Sequence, residues 1–281
     1  MIPGAPVRRP STTVQVVSFD AAGTRRRSDV VVTEEPLEIR LHGPAGAPTP
    51  LVVTMRTPGH DFELAAGFLF AEGIVREPDR IARIAYCLGG EGEQQYNVVT
   101  VRLRGAPLRL PARALVATSA CGLCGKATLD DVADRCDPVG TGPRVAAATI
   151  AALPERLRAA QAVFGRTGGL HAAARFTPAG ELISLREDVG RHNALDKLVG
   201  EAFLAGALPL ADEVLMVSGR CSFELVQKAA AAGFTIMAAV SAPSSLAVAA
   251  AERFGLTLVG FVRDDRGNVY TRPERIVTDA P

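Results

Sequence analysis

Two cysteines stand three positions apart in the most glycine-rich stretch of the chain, as Cys121-Gly122-Leu123-Cys124. Thiols at this spacing can chelate a metal, close a redox disulfide or relay a sulfane sulfur. A structural zinc site normally takes four ligands; no second such pair exists, although Cys136 and a distant His could complete a set. A thioredoxin-like motif wants a strand before it and a helix after it, which residues 113–117 permit only weakly. Sulfur relay asks for exposure and freedom instead, because a thiolate must attack a donor persulfide and then present the sulfur elsewhere. Gly122 and Gly125 give the loop that freedom, and Lys126 with a helix start at the motif would favour the thiolate. Two small cysteines could also simply pack. Packing does not explain why they lie among Gly122, Gly125, Gly140 and Gly142.

Two further segments have the makings of a ligand site. Arg186-Glu187-Asp188-Val189-Gly190-Arg191-His192-Asn193 follows an expected strand and opens an expected helix, and Ser218-Gly219-Arg220-Cys221-Ser222 does the same. Free N–H groups at helix starts favour anions, and Arg191 and Arg220 would add charge. The two preceding strands could lie side by side, so that one ligand touches both starts. The plainer reading is capping by Asp188 and Ser218, with the arginines in solvent. His192 could be a metal ligand, an acid or base, or a surface residue; taken alone it reads as a surface residue, as do His60 and His171. His42, beside Gly43-Pro44, reads as a turn residue.

The scaffold that must position these groups is legible in outline. With 281 residues, 48% of them hydrophobic and 22% charged, the chain can bury a sizeable core, built from Ala, Val and Leu because Trp is absent. Lys plus Arg number 31 against 30 for Asp plus Glu, which argues against a general polyanion binder. No apolar run is long enough to cross a bilayer, and Arg8-Arg9 is followed by no signal-peptide core, so a cytoplasmic protein with its five cysteines reduced is expected. Residues 1–117 read as a strand-rich α+β domain, with strands near 13–19, 30–33, 37–41, 51–56 and 96–103. A helix follows Asp61, a plausible N-cap, and stops near Gly73. Residues 118–146 read as a Gly-rich cysteine loop and linker. Residues 147–281 alternate: helix 153–163, a hairpin of 171–176 with 182–185, helix 193–203, strand 214–217, helix 221–232, strand 235–240, helix 245–254 and strand 256–262. That alternation implies a mostly parallel sheet covered on both faces.

This order resembles the cytidine deaminase fold, in which zinc ligands come from an H-x-E helix start and a P-C-x-x-C helix start. Here Ala194 stands where the general-base Glu would be, and Glu224 where the second Cys would be. One His and one Cys hold a catalytic zinc poorly, so the expected fold is α/β with a deaminase-like three-layer C-terminal domain lacking deaminase chemistry and any resident metal.

Five sets of residues match one family together. They are Thr57-Pro58-Gly59-His60-Asp61 with Glu63-Leu64-Ala65, Gly67-Phe68-Leu69 and Glu72-Gly73-Ile74; the run 118–125 around the cysteines; Phe164 with Thr167-Gly168-Gly169-Leu170-His171-Ala172-Ala173; Glu187 through Lys197; and Ser218-Gly219-Arg220. They resemble the FdhD/NarQ family, accessory sulfurtransferases for formate dehydrogenase, and the resemblance spans nearly the whole chain. It implies a cytoplasmic, homodimeric sulfur carrier that takes sulfur from a cysteine desulfurase. The sulfur would pass to the bis-molybdopterin guanine dinucleotide molybdenum cofactor before its insertion into formate dehydrogenase. The resemblance places the persulfide on Cys121, with Cys124 assisting, and cofactor contacts on Phe261, Val262, Arg263, Asp264, Asp265 and Arg266. Asp264 and Asp265 are unexpected beside a pyrophosphate. Two rivals remain at this point, a non-catalytic cofactor chaperone and a zinc-dependent hydrolase of the deaminase type.

Overall fold

The computed structural model describes residues 9–44, 46–87, 96–107 and 138–278, with the backbone alone at 115–117. Cys121, Cys124 and Cys136 lie outside the described residues. The chain opens with an antiparallel hairpin, β1 (Ser11–Asp20) and β2 (Gly23–Val32), paired along its full length. A five-stranded sheet follows, in the order β5-β6-β3-β4-β7. It is built from β3 (Glu35–His42), β4 (Thr49–Arg56), β5 (Ile81–Tyr86), β6 (Val98–Leu103) and β7 (Leu115–Ala117). Alternation drives its inner face: Leu37, Ile39 and Leu41 of β3 and Val99, Val101 and Leu103 of β6 are buried. Helix α1 (Asp61–Ala71) lies on that face, with Leu64, Ala65 and Leu69 in the same core.

Asp61 is not the N-cap of α1. His60 holds that position in a left-handed conformation, with φ of 58°. The Asp61 carboxylate instead accepts from Arg56, Nε at 3.1 Å and Nη2 at 2.9 Å, and from the Tyr86 hydroxyl at 3.0 Å. A buried cation that must be neutralised outcompetes the local capping role. The helix does stop where expected, with Gly73 at φ of 69° just past its end.

The C-terminal half contains β8 (Val145–Ala146), α2 (Ala147–Ala160), the single turn α3 (Phe164–Thr167), β9 (His171–Phe176) and β10 (Leu182–Asp188). It continues through α4 (Arg191–Leu204), β11 (Val214–Val217), α5 (Phe223–Ala231), β12 (Ile236–Ala239), α6 (Ser245–Phe254), β13 (Thr257–Arg263), β14 (Arg266–Thr271) and β15 (Ile276–Val277). Six of these strands form one sheet in the order β10-β9-β11-β12-β13-β14, parallel through β11, β12 and β13. Its two faces separate by alternation. Leu215, Val217, Met237, Ala239 and Leu258 pack with α4, α5 and α6, whereas Val214, Met216, Ile236, Ala238 and Val259 pack with Ile150, Leu153 and Leu157 of α2. Three layers result, and the architecture is mixed α/β.

Helix α2 begins six residues earlier than expected and carries Pro154 inside it. Burial of Ile150, Leu153 and Leu157 on one face holds the turn that precedes the proline. Helices α1 and α4 cross at Gly67 and Gly200, where the two backbones touch. A β-carbon on Gly67 would overlap the Asp196 carbonyl, and one on Gly200 would overlap the Glu63 carbonyl.

Candidate functional site

The cysteine segment 118–137 falls outside the described residues, but its two anchors are placed. It leaves from β7, which pairs in parallel with β4 at one edge of the five-stranded sheet. It re-enters beside the six-stranded sheet, where the Val139 N–H donates to the Phe254 carbonyl (2.8 Å) at the end of α6 and the Arg275 guanidinium donates to the Gly140 carbonyl (3.3 Å). A β-carbon on Gly142 would clash with the side chain of Thr235.

The segment Phe261 to Arg266 lies on the β13–β14 hairpin. The register breaks between Gly260 and Arg263, and Phe261 has φ of 54°. Arg263 pairs with Arg266 across a two-residue turn, Asp264 and Asp265, with φ of 52° and 57°. Aspartate is among the few residues that tolerate this region, which gives the two unexpected acids a backbone reason. The side chains of Arg263, Asp264, Asp265 and Arg266 are exposed, with Arg266 Nη2 3.8 Å from Asp264 Oδ2, and the Arg263 guanidinium sits 5.9 Å from the Phe261 ring centroid. Val262 is fully buried in the core facing α2, so it can offer only backbone.

The two helix-start segments meet, although not as expected. β10 and β11 are separated by β9 rather than adjacent. The starts of α4 and α5 nonetheless touch: His192 Nε2 and Ser222 Oγ share a hydrogen bond of 3.1 Å, and Glu224 Oε2 is 3.6 Å from the same nitrogen. Burial pushes the His192 imidazole down to about 4; Glu224 opposes this, while Lys228, Arg191 and His171 add to it. His171, half-buried beside Arg191, is likewise lowered by burial and then by that charge. Both rings are therefore neutral near pH 7, and His192 is no surface residue.

Neither expected cap serves as one. Ser218 Oγ accepts from the Ala172 N–H at 2.8 Å, whereas Ser222 caps α5 through the Leu225 N–H. Asp188, with no exposure, pairs with Lys197 Nζ (2.6 Å) and accepts from the Thr57 N–H (3.1 Å), the Gly190 N–H (2.8 Å) and Asn193 Nδ2 (3.1 Å). Lys197 also donates to the Thr57 carbonyl, and Asn193 to the Met55 carbonyl. Glu63 forms a fork to Arg186, with oxygens at 2.6 and 3.1 Å from its Nε and Nη2. Burial works against the Glu63 carboxylate, but His60 and Arg186 outweigh it and hold it down at about 2. The polar residues of segments 54–63 and 186–197 thus form one network that clamps the two halves together.

Sequence reasoning missed a buried ion pair behind His192. Lys228 Nζ lies 2.7 and 2.8 Å from the two Asp196 oxygens and 3.6 Å from Glu224 Oε1. Burial would lower the Lys228 pKa, but Asp196 and Glu224 together raise it, so the ammonium stays charged. The available signal was Glu224 and Lys228 at i, i+4 spacing in an alanine-rich helix whose other residues, Gln227 apart, are apolar. Cys221 is 1% exposed, and burial pushes its thiol up to about 12. Such a thiol is a poor ligand or nucleophile, and among the described residues no three His, Cys, Asp or Glu side chains gather into a metal set.

A profile of the FdhD/NarQ family matches residues 32–277. The chain belongs to that family. A protein named sulfur carrier protein FdhD in Streptomyces avermitilis is 53% identical over 279 residues, covering 95% of each chain. Its namesake in Streptomyces coelicolor is 52% identical over 95% of each chain. One in Mycobacterium tuberculosis is 51% identical over 89% of this chain and 92% of its own. A crystal structure of a candidate formate dehydrogenase accessory protein from Desulfotalea psychrophila superimposes with a TM-score of 0.75 at 26% identity, covering 96% of this chain and all of that one. Among the described residues no helix is long and apolar enough to cross a membrane.

Proposed function

We propose that the chain is a cytoplasmic, homodimeric sulfur carrier that accepts persulfide sulfur on Cys121 from a cysteine desulfurase. It then transfers that sulfur to the bis-molybdopterin guanine dinucleotide molybdenum cofactor, its cargo, before insertion into formate dehydrogenase. The observation that carries this reading is the near-complete match to relatives named as sulfur carriers, at 51–53% identity. The cysteine pair supports it chemically. An ordinary thiol with a pKa of roughly 8.5 is only a few per cent thiolate at neutral pH, and Lys126 would raise that fraction. The thiolate attacks the outer sulfur of the donor persulfide, the donor thiolate leaves, and Cys121 holds the sulfane sulfur until the cofactor takes it; Cys124 assists. Phe261 with Arg263 and Arg266 offers a ring and two cations to the guanine and pyrophosphate of the cargo, and the Val262 backbone borders them.

Incubation with a cysteine desulfurase and L-cysteine should add about 32 Da, one sulfur atom, to the tryptic peptide holding Cys121. Cys121→Ala should abolish formate dehydrogenase activation while the protein stays folded and still binds cofactor. A chaperone without sulfur chemistry would tolerate that change. Sulfur found on Cys87, Cys136 or Cys221 with Cys121 unmodified overturns the assignment. Guanine nucleotides should bind weakly at low salt, less so after Arg263→Ala and Arg266→Ala; silent calorimetry would reject the cofactor placement.

A further inference from the structure

Helix α1 occupies one face of the five-stranded sheet. Alternation sends Leu37, Ile39 and Leu41 of β3 and Val99, Val101 and Leu103 of β6 to that face. Glu38, Arg40 and His42 of β3, and Val98, Thr100 and Arg102 of β6, therefore stand on the other. Register aligns this outer face. His42 is the strand partner of Arg102, and Arg102 is the strand partner of Arg83 on β5. One row across three strands thus carries two guanidiniums and an imidazole, over a span of roughly 10 Å. Arg83 and Arg102 are both exposed.

Like charges directly opposite one another on neighbouring strands are destabilising, and solvent and salt weaken that repulsion without removing it. An acid at either position would serve folding better. The same face shows that arrangement two residues along β3, where Glu38 accepts a fork from Arg40, with Nε at 2.8 Å and Nη2 at 3.2 Å. The Arg83–Arg102 pair lacks such an internal arrangement across its own ladder position, and a carboxylate arriving from outside would relieve it.

We infer that this face docks a protein partner through an acidic segment whose carboxylates seat on Arg83 and Arg102. Guanidinium forks match carboxylates two oxygens at a time. The remainder of the face suits a protein surface. Val53, paired with Glu38 and 38% exposed, stands with Ala85 and Val98 as apolar area beside the charges. Arginine is also the cation that protein interfaces favour. A nucleic acid would call for a long basic track, whereas this row is short and the whole chain holds 31 Lys plus Arg against 30 Asp plus Glu. A standard footprint of about 800 Å² per partner, roughly 30 Å across, would extend from Arg83 over β3 and β4 to β7 at the far edge. The inference stands on the arginine row and is independent of the sulfur chemistry.

The test is fluorescence anisotropy on the full chain with a labelled hexaglutamate peptide. The peptide should bind the wild type at low salt and be released as salt is raised. Arg83→Glu/Arg102→Glu should bind it at least about tenfold more weakly. Both side chains are exposed, so the fold should survive, which circular dichroism checks. Arg25→Glu/Arg26→Glu makes the same charge change at exposed positions of β2 and should stay within about twofold of wild type. Arg83→Glu alone turns the cross-strand repulsion into attraction, so its thermal midpoint should lie at or above that of the wild type while binding falls. Absence of binding at low salt, equal losses in the two double variants, a lowered midpoint for Arg83→Glu, or preference for a hexathymidylate over the peptide each overturns the inference.

Discussion

Burial holds the His192 ring neutral where it meets Ser222 and Glu224, with a pKa of about 4 against the ordinary 6.5. A depressed histidine gives stability that is fully present above 6.5 and is lost as pH falls towards 4, because the unfolded chain takes up the proton first. The folded protein should therefore be about 2 kcal/mol less stable at pH 5 than at pH 7.5 on this account. His192→Gln should flatten that slope in urea titrations at the two pH values. Glu63, held at about 2 against 4.5, adds a second loss below pH 4.5 with the same sign. The sequence showed His192 at a helix start but not its burial, because Ser222 and Glu224 arrive from a different helix. It also flagged Asp264 and Asp265 as odd, and the oddity resolves in the backbone: both have positive φ.

At the scale of elements, regular segments with a strong period were legible. Strand 214–217 and helix 245–254 are found at the residues expected. β5 was missed because a register irregularity between Ile81 and Arg83 breaks its alternation. β14 was missed because five of its six residues are exposed, leaving no pattern to read. The α1–α4 crossing was also hidden, since Gly67 and Gly200 are ordinary helical glycines until the helices meet. Gly67→Ala should cost about 3 kcal/mol, because the obstacle is backbone that cannot rotate away. Gly165→Ala, with nothing within 4 Å of the new carbon, should change stability by less than about 0.5 kcal/mol in the same denaturation assay. Lys228→Met should cost about 3–5 kcal/mol by leaving the buried Asp196 carboxyl, already pushed up to about 6 by burial, without its cation.

For the whole molecule, the question is whether two sheets make two unfolding units. The clamp formed by Asp188–Lys197 with Thr57, Asn193 with Met55 and Glu63–Arg186 joins them through buried or half-buried polar groups. We expect a single cooperative transition, with calorimetric and van't Hoff enthalpies in agreement. Two separated transitions would show that the clamp opens before either sheet does. The contacts that cross between the sheets, Arg186 to Glu63, Asn193 to Met55 and Lys197 to Thr57, are not visible in sequence, because the partners lie more than a hundred residues apart. The motif segments at 57–67 and 187–197 pointed to something important, and the structure gives a physical reason: each completes the other.

The depth of Cys221 has a practical consequence. With its thiol sealed in the core and pushed up to about 12, it cannot meet an alkylating reagent until the surrounding structure opens. Its labelling rate in a non-denaturing buffer is therefore a native clock for unfolding. Peptide mass spectrometry can read that clock without adding a dye, in the same sample used to follow sulfur on Cys121.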